Sequence, residues 1–101
     1  MTDSTKNVSH WTFLTNHAHV LLCIAKNPDF RLRDIADVVG ITERAVHRIV
    51  TDLTEAGFIE VKREGRCNVY IMHPEKYLRH PVETHRQVAD LICLIEKGTI
   101  G

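Results

Sequence analysis

The sequence predicts an α+β domain, mainly helical, with a three-helix core, a β-hairpin and a C-terminal helix. Three observations support this. Apolar residues recur at helical spacing in three stretches, one ending near Lys26, one stopped at Gly40 and one running from Glu43 to Ala56. The segment IEVKREGRCNVYIM then changes to strand-like alternation around Glu64-Gly65-Arg66. Beyond Pro81 a helical stripe returns, carried by Val88, Leu91, Ile92 and Ile95.

Each element has a local reason. The first ten residues, MTDSTKNVSH, are polar and read as a flexible arm (1–10). Trp11, Phe13 and Leu14 form a short apolar patch, either a strand or a docking segment. Thr15 or Asn16 caps a helix reaching about Lys26, with Ala18, Leu21, Ile24 and Ala25 toward the core. Asn27-Pro28-Asp29 ends it, because a residue before proline is pushed out of the helical region. Phe30 to Leu32 reads as a brief strand against the later hairpin.

Arg33 and Asp34 start a second helix with the apolar stripe Ile35, Ala36, Val38 and Val39. Gly40 stops it, since glycine accepts the left-handed backbone of an abrupt turn. Ile41 plugs the corner, and Ala36 is small enough for the two helices to approach. Thr42 is the N-cap of the third helix, and Glu43 suits its positive end. Val46, Ile49, Val50 and Leu53 share one face, and Gly57 closes the helix. Phe58 to Arg63 and Cys67 to Met72 are antiparallel strands. His73 to His80 is a connector pinned by Tyr77 and Leu78, and Pro81 opens a final helix reaching Lys97, with Gly98 as its stop. The chain thus divides into the arm, a domain over 11–80 and a C-terminal helix over 81–101.

The 101 residues support one domain; 44% hydrophobic and 26% charged residues are ordinary for a folded soluble chain. The N-terminus lacks a secretory pattern, and the apolar run Val20 to Ala25 is too short to span a membrane. Three widely spaced cysteines, Cys23, Cys67 and Cys93, do not make a disulfide framework and point to a reducing cytoplasm. Formal net charge is +0, which argues against a generally basic nucleic-acid binder. The distribution matters more than the sum. Acidic residues crowd 29–37 and 52–60, whereas Arg44, Arg48, Lys62, Arg63 and Arg66 gather on one prospective surface.

These residues carry a family resemblance. Ile35-Ala36, Gly40-Ile41-Thr42, Arg44-Ala45-Val46, Leu53, Glu55-Ala56-Gly57-Phe58-Ile59, the tip Arg63-Glu64-Gly65-Arg66 and Tyr70 make the block 21–72 similar to a winged helix-turn-helix domain. That domain belongs to bacterial and archaeal transcriptional regulators in the neighbourhood of the MarR and ArsR groups. The resemblance implies sequence-specific binding of double-stranded DNA, with the helix 42–56 in the major groove and the wing 62–68 on the backbone or minor groove. Arg44 and Arg48 would offer guanidinium forks to guanine or phosphate. His47 and Thr42 would donate to phosphate or a base edge, Ala45 would meet a thymine methyl, and Glu43 would accept from cytosine or simply start the helix. Thr51 would reach the backbone. Lys62, Arg63, Arg66 and Asn68 would contact phosphates, with Arg66 placed for the minor groove.

The final helix is more apolar than one domain edge needs, so a homodimer is expected, with Trp11, Val88, Leu91, Ile92 and Ile95 at the interface. The alternative to DNA binding is a winged-helix protein-interaction module. A metal-responsive repressor is a further alternative, suggested by the pair His19 and Cys23 and by His85 and Cys93 on the final helix, but a loose pair falls short of a zinc ligand set. No metal or cofactor is therefore expected. Enzymatic chemistry is not expected either: there is no phosphate-binding glycine loop or nucleophile elbow, and the only serines, Ser4 and Ser9, lie in the arm.

Overall fold

Helix α1 (Asn16–Lys26) begins where the Thr15 hydroxyl oxygen accepts the Ala18 backbone N–H at 3.3 Å, and it ends at Asn27, ahead of Pro28. It belongs to a computed structural model that describes residues 11–97; the predicted arm and the stop at Gly98 lie outside them. Val20 and Ile24 of α1 are fully enclosed and Leu21 is buried. Val20 replaces the expected Ala18 and Ala25, which are half-buried, because the larger side chains at 20, 21 and 24 define the stripe that meets the core.

Helix α2 (Leu32–Val39) starts at Arg31, whose backbone N–H donates to the Asp34 carboxylate at 3.1 Å. The Arg31 guanidinium also donates to Asp34, and these bonds hold the Asp34 carboxyl below the usual carboxylate range. Ile35 and Ala36 are buried and Val39 is half-buried, but Val38 is 66% exposed. Residues 35, 36 and 39 lie within one helical sector that position 38 falls outside. The predicted strand at Phe30 to Leu32 does not form: Leu32 already opens α2, and the loop before it meets the hairpin through one bond, Tyr70 N–H to the Pro28 carbonyl at 3.0 Å.

Gly40 has φ +85°, and its N–H and that of Ile41 both reach the Ala36 carbonyl, at 2.8 and 3.1 Å. This sharp turn delivers the chain to α3 (Glu43–Glu55). Val46, Ile49, Val50 and Leu53 are buried as expected. The end of α3 is a complete Schellman motif: Phe58 N–H donates to the Leu53 carbonyl at 2.9 Å and Gly57 N–H to the Thr54 carbonyl at 3.0 Å. Gly57 takes the left-handed position at φ +85°, and buried Phe58 supplies the apolar contact that accompanies such a cap.

Strands β1 (Ile59–Glu64) and β2 (Cys67–Met72) pair antiparallel, from Ile59 opposite Met72 to Glu64 opposite Cys67. Gly65, at φ +64°, provides the positive angle that a two-residue hairpin loop needs. The connector then pairs with a later stretch of its own chain. Leu78 N–H donates to the Arg86 carbonyl at 2.9 Å, and Val88 N–H donates to the Lys76 carbonyl at 2.8 Å. Leu78 packs against the core, whereas Tyr77 is exposed.

Helix α4 (Val88–Lys97) therefore begins at Val88, not at Pro81. Residues 80–86 form turns, with Glu83 N–H on the His80 carbonyl and Arg86 N–H on the Glu83 carbonyl. The Asp90 carboxylate accepts the Gln87 N–H at 2.9 Å and caps the new start. Val20, Ile24, Ile35, Val46, Ile59 and Val88 are the fully enclosed side chains, one or more from each of α1, α2, α3, β1 and α4. Each such burial contributes about 1.5–3 kcal/mol before entropy is counted.

Candidate nucleic-acid interface

The buried face of α3 determines what faces outward. Opposite Val46, Ile49, Val50 and Leu53 lie Arg44, Arg48, Thr51 and Glu55, all exposed, with exposed His47 on the flank. Arg44 and Arg48 are one turn apart, and among the described residues neither takes part in an ion pair. Charge along the helix is graded. The N-terminal half holds the two arginines and the positive end of the helix dipole, with Glu43 offset by Arg33, and the C-terminal half holds Asp52 and Glu55. An anion is attracted to the first half and repelled from the second.

Local hydrogen bonds set what the remaining candidates can do. The Thr42 hydroxyl oxygen accepts the Ala45 N–H at 3.0 Å, so its own proton stays available to donate outward. The Thr51 hydroxyl instead donates to the His47 carbonyl at 2.9 Å, which spends that proton inside the helix. A phosphate contact by Thr51 therefore requires this bond to break. Ala45 is half-buried beside the turn. Glu43 lies 3.7 Å from Arg33, a residue at the start of α2 absent from the expected contact set. The pair crosses from one helix to the next, so only the packing of α2 on α3 reveals it. Its result is a third cation beside the start of α3.

The hairpin register divides the basic wing residues. Lys62 is opposite Val69, and Arg63 is opposite Asn68, so adjacent Lys62 and Arg63 point to different faces. Arg63 and Asn68 share the face of buried Tyr70, and the Arg63 Nε–H donates to the Gly65 carbonyl at 3.2 Å. Arg66 stands exposed at the tip with no ion pair among the described residues. One flat backbone cannot touch all four candidates at once.

The expected dimer residues also separate. Val88 is 1% exposed and belongs to the core of its own domain, and Ile92 packs against that core. Val88 is therefore removed from the interface set. Trp11 is 70% exposed and stacks edge-on with exposed Phe13, ring centres 5.1 Å apart. Ile95 and Leu94 are exposed on α4, and Leu91 is half-buried.

The histidine and cysteine candidates do not converge. The His19 ring bonds to the Asn16 side chain at 3.1 Å, and burial pushes the Cys23 thiol up, with nearby Asp34 adding to the effect. His85 precedes α4 instead of lying on it. No group of three His, Cys, Asp or Glu side chains among the described residues is arranged to hold a metal ion. No described helix is long and apolar enough to cross a membrane.

Comparison with known proteins bears on the fold. Residues 15–60 match the family model for winged helix-turn-helix DNA-binding domains. The PcaV transcriptional regulator from Streptomyces coelicolor, solved with its natural ligand, is similar at TM-score 0.55 and 17% identity, over 96% of this chain and 69% of that one. IscR from T. potens is similar at TM-score 0.62 and 14% identity, over 89% of this chain and 93% of that one. No curated protein sequence matches the chain. The chain thus has the winged helix-turn-helix fold, and its three core helices and the first residues of β1 lie in a segment similar to the DNA-binding family of that name.

Proposed function

We propose that this protein is a sequence-specific double-stranded-DNA-binding transcriptional regulator that works as a homodimer in the cytoplasm, akin to the MarR and ArsR regulators. The observation that carries the reading is the pair Arg44 and Arg48, exposed and without an ion pair among the described residues, at the capped, dipole-positive start of α3, on the same domain as an Arg66-tipped wing. The N-terminal half of α3 enters the major groove, where the two guanidinium forks read guanine edges or grip phosphate. Thr42, Glu43, Ala45 and His47 flank them, and Arg33, held beside Glu43, adds a backbone contact. Arg66 meets the minor groove or adjacent phosphates, joined by Lys62 or by Arg63 and Asn68 according to which wing face turns inward. Trp11, Leu91, Leu94 and Ile95 supply apolar surface for a second copy, which offers a second α3 to a half-site about 34 Å away.

The neutral net charge favours a second reading, a winged-helix module that binds another protein. A gel-shift titration across salt concentrations separates the two. DNA binding through phosphates weakens steeply as salt rises, because neutralised phosphates release condensed counterions. Absence of any shift with duplex DNA at low salt would favour the protein-interaction reading.

A further inference from the structure

The C-terminal end of α3 lacks a cation of its own. A helix ends in carbonyl groups without partners in the helix and in the negative pole of its dipole, where a Lys or Arg is favourable. No basic residue stands in the last turn of α3, and Asp52 and Glu55 add negative charge there. The His17 ring meets Asp52 at 2.8 Å, whereas Glu55 has no ion pair among the described residues.

The connector supplies a cation. The Lys76 ammonium lies 5.8 Å from the centre of the Phe58 ring, within the range of a cation–π contact. A methyl group placed on Gly57 would stand 3.3 Å from Lys76 Nζ and 3.6 Å from its Cε, so the side chain lies across the turn that closes α3. Gly57 and Phe58 donate the two N–H groups of that closure. At Gly40, which has the same φ of +85°, the same methyl would meet nothing. The glycine at 57 thus meets two needs, the left-handed backbone and the room that Lys76 occupies.

The backbone around Lys76 holds the next helix. The Lys76 carbonyl accepts the Val88 N–H at 2.8 Å, the Pro74 carbonyl accepts the Ala89 N–H at 2.9 Å, and the Glu75 carbonyl accepts the Gln87 side-chain amide at 3.0 Å. On the other side, the His73 N–H donates to the Phe58 carbonyl at 2.9 Å. Residues 73–76 therefore grip the end of α3 and the start of α4 together. Of their two ties to the end of α3, the one from Lys76 depends on a side-chain charge.

We infer that Lys76 is a positioning residue, whose ammonium acts as the missing C-terminal cation of α3 and clamps the end of that helix to the segment that holds the start of α4. It touches no DNA. Its effect on DNA binding rests on the reading above: Arg44 and Arg48 project from the first half of α3, and base contacts need the supporting helix held in a fixed orientation.

The test compares the full chain with Lys76→Met, which keeps the length and removes the charge, and with Lys76→Arg, which keeps the charge. Amide hydrogen exchange without DNA reads the closure directly. Exchange of the Gly57 and Phe58 N–H groups should quicken roughly two- to five-fold in Lys76→Met, the range that one charge at a helix end produces, and should return toward the original rate in Lys76→Arg. The Gly40 and Ile41 N–H groups, at the other turn, should exchange alike in all three proteins. Unchanged exchange at 57 and 58 in Lys76→Met overturns the inference, and so does an increase that Lys76→Arg shares. On a duplex selected from a random pool, Lys76→Met should bind up to roughly five-fold more weakly, with the slope of log K against log salt unaltered. A slope shallower by about one unit would place the ammonium on a phosphate and overturn the positioning role. If exchange responds as expected but no duplex binds any of the three, the DNA reading falls and the clamp stands.

Discussion

At the scale of single residues, the proposed DNA binding rests on a few guanidinium groups that have no ion pair among the described residues. If Arg48 reads a base, Arg48→Ala should cost about 1–3 kcal/mol of binding and relax preference at one base pair. Arg66→Ala should instead weaken all duplexes alike and lower the salt slope by roughly one unit. Fluorescence anisotropy on a panel of single-base variants distinguishes these outcomes. The three cysteines provide a check on the packing. Cys67 and Cys93 are exposed, whereas Cys23 is half-buried with its thiol pushed up by desolvation. Thiol-specific alkylation near neutral pH should label the first two well before Cys23, because the thiolate is the reacting form. Uniform labelling would contradict the packing of α1. The sequence indicates which residue types are free to act, but not Arg33, whose place beside Glu43 depends on how α2 crosses α3. Nor does it reveal that the Thr51 proton is spent on the His47 carbonyl.

At the scale of elements, the angle between α2 and α3 is set by a short run of caps. Thr42→Ala removes the acceptor of the Ala45 N–H and should destabilise the fold by about 1 kcal/mol, or several degrees in Tm. Gly40→Ala has open space around the added methyl, so its cost of about 1–2 kcal/mol comes from the φ of +85° alone. Calorimetry on both variants checks these values. The Arg31–Asp34 cap gives a pH dependence with a definite sign. Asp34 has a lowered carboxyl pKa in the folded state, so its stabilising effect is present above the ordinary aspartate value and is lost as pH falls through the lowered one. Urea midpoints of the protein and of Asp34→Asn should differ at neutral pH and converge in strong acid. The Gly40 and Thr42 caps are legible in the sequence because they depend on residues a few positions apart, whereas the cap at Arg31 falls where the sequence reads as a strand. The start of α4 is not legible. Pro81 is a plausible first helical residue, but turns occupy 80–86, and the Val88–Lys76 and Leu78–Arg86 bonds tie the ends of that stretch to the connector. Pairing between distant stretches leaves no periodic mark. The missing strand at Phe30 to Leu32 has a local cause instead: Leu32 is drawn into α2 by the cap at Arg31.

At the scale of the whole molecule, a net charge of +0 must be reconciled with a polyanionic partner. The fold does so by segregation: the outward start of α3 and the wing tip are cationic, while Asp52 and Glu55 sit toward the far end of α3. On the proposed reading non-specific attraction is weak, and useful affinity comes from two copies engaging together. Val88 shows where the expected dimer residues depart from the structure. Its helical stripe is continuous with Leu91 and Ile95, yet the side chain is taken by its own core, and periodicity cannot say which apolar residues face inside. The most direct measurement is the affinity of the protein, across a range of salt concentrations, for the duplex it enriches from a random pool. The account predicts an enriched site with two half-sites about one helical turn apart, bound with log K falling linearly by roughly 0.9 per phosphate neutralised. Failure to enrich any duplex, or an affinity indifferent to salt, would contradict it.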